Sequence, residues 1–360
     1  MNLDLAKELF TALQFPPESI DALLSDLEFM ARYKYDHYET FVPGRRFLEH
    51  LFIWLKQFAP EDRECAMRFV RERLIFISQR EMQDLARFLY YDLIVPEILE
   101  WIIEHNELKP FQYTKAFERY FQSYLRRCLF IGLSDGAKID FFRRHNIELS
   151  QEQVLPYYRT KDEEYVSRLR DDTDDPEADF WAVFLVDDFT GSGYTLMHEE
   201  HEQDADQKRL VGSLERVYKH HKSIIDKADI VYLCHYIATA NAHSAARRRA
   251  EEFPGYRGKF KTMAALTLRP QLGITPETVR TNQSVLDIYL MCEKYFHSDY
   301  DTPNRKKGGG IKFGYGRQGL PLVLYSNTPN NSLFFIWLEA PQAAQPFHAL
   351  FKRIDRHRPL

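Results

Sequence analysis

Apolar residues recur three and four positions apart through most of the first 127 residues. This period predicts helices over 3–14, 17–30, 46–58, 61–77, 80–92 and 113–127. Phe15-Pro16-Pro17, Val42-Pro43-Gly44 and Ala59-Pro60 interrupt it, since proline and glycine end helical runs. The aromatic-rich stretch from Phe88 through Trp101 to Phe111 reads as inter-helix packing.

The pattern changes at Cys128. Short runs apolar on nearly every residue predict strands at 129–133, 181–186, 230–237, 262–268 and 320–325, with another at 333–338. Helical stretches at 137–145, 207–225, 241–252 and 282–296 lie between most of them. Strands alternating with helices imply an α/β fold, a mostly parallel sheet flanked by helices. The expected organisation is an all-helical region over 1–112 and an α/β domain over 113–360. The acidic stretch 161–179 reads as a solvated loop or short helix, or alternatively as a lid beside a site.

Composition narrows the class only modestly. The 360 residues are 44% hydrophobic and 14% aromatic, ample for a core, and a net charge of −5 argues against a protein that coats nucleic acid. The N-terminus lacks the basic and apolar blocks of a signal peptide, and no apolar run is long enough to span a membrane. Cys65, Cys128, Cys234 and Cys292 form no CxxC pair, so a disulfide-free cytoplasmic protein without cysteine-bound zinc is expected.

Residues 183–195, VFLVDDFTGSGYT, carry the chemistry. Val183–Val186 brings the chain to the carboxyl end of a strand, where α/β sheets hold ligands. Asp187 and Asp188 follow side by side, suited to vicinal ribose hydroxyls and to Mg²⁺. Thr190, Gly191, Ser192, Gly193, Tyr194 and Thr195 then make a small-residue loop whose backbone N–H groups and hydroxyls can cradle a phosphomonoester. A helix starting near Tyr194 would add its dipole. An Asp-Asp strand end also occurs in response regulators and some phosphohydrolases, but that reading leaves the Gly-Ser-Gly loop without a role. No GxxxxGK[ST] P-loop occurs.

This stretch resembles the signature of type I phosphoribosyltransferases. The resemblance implies that Asp187 and Asp188 hold the ribose hydroxyls of phosphoribosyl pyrophosphate, with Mg²⁺, while Thr190–Thr195 bind its 5′-phosphate. The family's pyrophosphate loop is matched by Gly132–Lys138, through Ser134, Asp135, Gly136 and Lys138. Asp135 departs from the pattern, which usually places a basic residue in that turn.

GLSDGAKIDFFRR (132–144), the signature, HYIATANAHSAARRR (235–249) and the segments 312–337 and 350–353 are similar to one subgroup, the phosphoribosyltransferase-like proteins of bacterial conflict systems, including anti-phage cassettes and retrons. The resemblance implies a toxic effector acting on phosphoribosyl pyrophosphate or a nucleotide. A protein or nucleoprotein partner of a defence complex would dock through the N-terminal helices. A catalytically inactive sensing or docking module remains the alternative.

Asn330 and Asn331 could read a nucleobase edge or simply stabilise a turn. Lys312, and less so Lys306, Lys307 and Arg317, could meet pyrophosphate charge. His235 reads as a satisfied strand histidine rather than a base, and His243 and Arg247 are equally ambiguous.

Overall fold

The computed structural model describes residues 3–106, 109, 115–134, 137–156, 161–201, 208–253, 256, 258–301 and 309–354. They form two units, Met1–Glu81 with Arg269–Leu360, and Met82–Leu268. This partition differs from the expected cut after residue 112. Residues 82–112 belong with the sheet, and the last ninety or so residues belong with the N-terminal helices.

In the first unit, helices Leu3–Ala12, Pro17–Tyr33, Phe47–Lys56 and Pro60–Glu72 fall close to the predicted spans. The helix expected over 61–77 ends early. Residues Ile75–Ile77 form strand β1, which pairs in parallel with Leu322–Leu324. That pairing takes the predicted strand at 320–325 out of the main sheet. The strand expected at 333–338 is instead a helical turn, Phe334–Trp337, buried on every residue. An all-apolar tetrapeptide carries no period, so pattern alone cannot separate the two. The Trp54 indole donates to the Phe335 carbonyl at 2.7 Å, and Phe351 packs among Tyr35, Tyr38, Phe41, Phe47 and Phe76.

The second unit holds a five-stranded, wholly parallel sheet. Its strands are β2 (Cys128–Gly132), β3 (Val154–Leu155), β4 (Ala182–Thr190), β7 (Ile230–Thr239) and β8 (Lys259–Leu268), β5 and β6 being a separate hairpin of His198–His201 and Lys208–Val211. The order across the sheet is β3-β2-β4-β7-β8. Strand β7 is buried along its whole length, as a central strand covered on both faces must be.

The two faces have different cores. On one, Leu129, Ile131, Val183, Leu185, Val231 and Leu233 pack with Leu214, Val217, Ala246 and Ala250 from helices Ser213–His220 and Ala240–Glu251. On the other, the rings of Phe130, Phe184 and Tyr232 stack at 4.9 and 4.5 Å. Phe142, from helix Ile139–His145, and Tyr90 lie against Phe130.

Tyr90 sits in a widened π-helical turn, Leu89–Ile94, where the Val95 N–H reaches back to the Tyr90 carbonyl. Pro96 follows and has no N–H to give Asp92, so loosening the helix just before it relieves the clash of its ring with that carbonyl. The aromatic stretch thus packs on the sheet as well as between helices: Trp101 stacks on Trp181 at 4.7 Å.

The acidic segment expected as a loop or short helix is mostly helix, Asp162–Thr173. Its first residue is buried, accepting hydrogen bonds from Ser223 and pairing with His221 Nδ1 at 2.9 Å. Burial pushes the Asp162 carboxyl up, but the bonds from His221 and Ser223 outweigh it and hold it below its ordinary value. All four cysteines are free thiols. No helix among the described residues is long and apolar enough to cross a membrane.

Candidate active site

Strand order locates the site. The chain leaves β2 toward β3 on one flank and leaves β4 toward β7 on the other. Their following connections diverge, opening a crevice at the carboxyl ends of two adjacent strands. The loop after β2 carries Ser134 and Lys138, and the loop after β4 carries the Thr190–Thr195 stretch.

Gly132 pairs with Val186 in the last rung of the β2–β4 ladder, and the Leu133 N–H still donates to the Val186 carbonyl. Strand β4 runs on to Thr190, four residues further than the predicted strand. The two acids therefore lie within the strand. Successive strand residues point to opposite faces, so Asp187 and Asp188 diverge rather than stand side by side. Each is half-buried. The Ser134 hydroxyl donates to Asp187 Oδ1 at 2.8 Å, and the Asp188 N–H approaches the same oxygen at 3.0 Å. The Ser134 bond ties the loop after β2 to strand β4.

Beyond Thr190 the chain turns tightly, with Gly191 and Gly193 buried and Thr195 exposed. Gly193 has φ +69°, and an added Cβ would lie 3.3 Å from Arg249 Nη1 and 3.4 Å from the Ala242 carbonyl. A side chain there would be both strained and crowded. The helix expected near Tyr194 is absent. Tyr194 instead stacks on His198 at 3.8 Å, the hairpin β5–β6 intervenes, and the next helix starts at Ser213. Its first N–H groups, Ser213 and Leu214, donate to the Thr195 and Leu196 carbonyls. Gly212 makes this closure possible, because a Cβ there would meet the Leu196 oxygen at 2.3 Å.

Two further side chains hold the loop. The Thr239 hydroxyl donates to the Gly191 carbonyl at 2.6 Å while capping helix Ala240–Glu251 through the Ala242 N–H. Arg249, from the last turns of that helix, donates to the Gly193 carbonyl at 2.6 Å. Sequence reasoning missed both. Thr239 carries a faint signal, a Thr between an apolar run and an alanine-rich helix, the mark of an N-cap. Arg249 lies seven residues after buried Ala242, on the helix side that faces inward, but nothing in the run Arg247–Arg249 selects it.

A family model covers this stretch of chain along with most of the rest. The PRTase-CE model aligns with residues 52–353, most of the sequence. The chain belongs to the PRTase-CE family. Its fold and its phosphoribosyltransferase-like character follow from that membership, in agreement with the parallel sheet. No curated protein and no solved structure matched.

This PRTase-CE chain brings Ser134 and Asp187 into contact where β2 ends beside β4, with the loop Thr190–Thr195 following on the same strand. Lys138, at the start of the following helix, has a left-handed backbone with φ +44°, a strained conformation of the kind that clusters at functional sites. Asp135, Gly136, Lys306 and Lys307 lie outside the described residues.

Lys312, Asn330 and Asn331 belong to the other unit. Lys312 pairs with Glu293 at 2.7 Å and lies over the Phe296 ring. The buried Asn331 amide donates to the Tyr315 carbonyl, and the Asn330 carbonyl accepts from the Tyr315 N–H. Both contacts join the asparagine segment to the backbone of Tyr315.

His235 is the register partner of Asp187 and is buried. Burial, with His243 nearby, pushes its pKa down to about 3, so it stays neutral and cannot serve as a cation at neutral pH. His243 meets the Thr262 hydroxyl through Nε2, and burial lowers its pKa also. Among the described residues no cluster of three or more His, Cys, Asp or Glu could hold a metal. Mg²⁺ does not require such a cluster, since it keeps several waters and is commonly held by one or two carboxylates plus substrate phosphates.

Proposed function

We propose that this PRTase-CE chain is an enzyme that binds phosphoribosyl pyrophosphate, or a nucleotide in the reverse direction, and exchanges the group at C1′. The observation carrying this reading is the Ser134–Asp187 hydrogen bond, which joins the loop suited to the leaving group with the acid suited to the ribose. The loop Thr190–Thr195 would hold the 5′-phosphate, Asp187 and Asp188 the ribose hydroxyls, and Ser134 with Lys138 the pyrophosphate side.

Fixing the phosphate at the far end of the ribose lets binding energy be used at the anomeric carbon. The C1′–oxygen bond breaks through an oxocarbenium-like state, pyrophosphate leaves with its electron pair, and a nucleobase, water or macromolecular group attacks. Mg²⁺ carried by the pyrophosphate would supply charge neutralisation for the leaving group. The carboxylates beside C1′ would favour the developing positive charge.

The test is Mg²⁺-dependent loss of phosphoribosyl pyrophosphate with purified full-length protein and a panel of bases, with Asp188→Asn as the control. Turnover that persists in the variant would remove the acid pair from the mechanism. Binding without turnover for any acceptor would favour a sensing module, the reading supported by Asp135, which stands where the family's sequence pattern usually has a basic residue.

The biological reading is a toxic effector of an anti-phage system, restrained by a partner that docks through the N-terminal helices. It is supported by the sequence resemblance to conflict-system proteins. Metabolite profiling of cells expressing the native chain beside Asp187→Ala/Asp188→Ala tests it. A nucleotide pool that falls only with the native chain is expected, and identical pools would overturn it.

A further inference from the structure

The loop Thr190–Thr195 is held from behind. Its carbonyls at Gly191, Gly193 and Thr195, and the next at Leu196, accept from Thr239 Oγ1, Arg249 Nη1, the Ser213 N–H and the Leu214 N–H. The described chain has no cis peptide, and in a trans peptide the carbonyl and the following N–H point in opposite directions. Drawing these oxygens toward the two helices therefore turns the N–H groups of Ser192, Tyr194 and Leu196 the other way. Met197 returns to the Gly193 carbonyl and Tyr194 approaches Ser192 Oγ at 3.4 Å. Met197 thus belongs to the helix side, and the Ser192, Tyr194 and Leu196 N–H groups lie on the opposite side, the arrangement in which successive backbone donors can meet an anion.

Of the four clamps, only Arg249 is charged. Its guanidinium lies on the Gly193 carbonyl at 2.6 Å, and so polarises the peptide that ends in the Tyr194 N–H. We propose that Arg249 is a positioning residue for a phosphate on this loop, acting through the Gly193–Tyr194 peptide and without touching the ligand. The inference rests on the ribose-5-phosphate reading of the loop. It adds that affinity for the phosphate end depends on a cation behind the backbone, whereas affinity for pyrophosphate does not.

Isothermal titration of the full-length protein with ribose 5-phosphate, and separately with Mg²⁺-pyrophosphate, tests it. Arg249→Gln is expected to raise the ribose 5-phosphate Kd at least tenfold while leaving the pyrophosphate Kd within twofold. Arg249→Lys, which keeps the charge and loses the fork, falls between, at threefold or more. Arg247→Gln is the control, since Arg247 pairs with Glu251 on the exposed side of the same helix and its loss changes net charge equally. Native ribose 5-phosphate affinity in folded Arg249→Gln overturns the inference, as does an equal loss for both ligands. Should Arg249→Gln fail to fold, a native Kd in Arg249→Lys overturns it instead. If the native chain itself does not bind ribose 5-phosphate, the reading of the loop fails, a separate and recognisable result.

Discussion

Acid should destabilise the sheet unit through His235, to a calculable extent. The side chain is 3% exposed, and its pKa is pushed down from 6.5 to about 3 by burial, with His243 nearby. In the unfolded chain it takes a proton near pH 6.5, while in the fold it resists until about pH 3. Between those values the unfolded state binds more protons, so stability falls as pH falls. The slope is about 1.4 kcal/mol per pH unit, so the step from pH 6.5 to pH 5 costs about 2 kcal/mol. His243, also lowered, adds in the same direction.

The assay is urea unfolding followed by far-UV circular dichroism at pH 7, 6 and 5, for the native chain and for His235→Gln. The quantity of interest is the difference in acid sensitivity between the two, because groups elsewhere cancel in it. The native chain should lose about 2 kcal/mol more than the variant between pH 7 and 5. Parallel pH profiles would show that His235 is solvated or paired when charged, and would refute the reasoning from burial.

Three other outcomes follow from the same geometry. Gly193→Ala forces a left-handed alanine against Arg249, a strain of about 1–2 kcal/mol, read as a thermal midpoint lowered by a few degrees and weaker ribose 5-phosphate binding. Ser134→Ala removes the 2.8 Å bond to half-buried Asp187, worth about 1 kcal/mol, and should lower the melting temperature by a few degrees and raise KM for phosphoribosyl pyrophosphate about fivefold. Trp54→Phe leaves the Phe335 carbonyl buried without its indole donor, costing about 1–3 kcal/mol in a chemical-denaturation curve with native substrate binding retained.

Local chemistry was legible in the sequence where it is contiguous. Val183–Thr195 announces a strand, acids and a small-residue loop in one run, and the runs at 129–133, 230–237 and 262–268 fall on strands of the central sheet because buried parallel strands are apolar on every residue. Strand β4 continues through Asp187 and Asp188 because β7 pairs with it as far as Ala238, and no hydropathy pattern reports a neighbour's length. The hairpin β5–β6 was invisible for the opposite reason: its strands are largely charged, and the second, Lys208–Val211, falls in the stretch 207–225 expected as helix. Two features depend on contacts between distant residues: the assembly of 1–81 with 269–360, and the hold of Thr239 and Arg249 on the loop. Neither leaves a periodic trace.

The pinch at Gly212 has a consequence for how the signature can vary. The chain departs after Leu196 and comes back at Gly212 to the same point, close enough to admit no side chain, and the Ser213 and Leu214 bonds seal the exit. Met197 and His198 still reach back to Gly193 and Tyr194, so a change of sequence that spares the loop Thr190–Thr195 has to begin after His198 and end before Gly212.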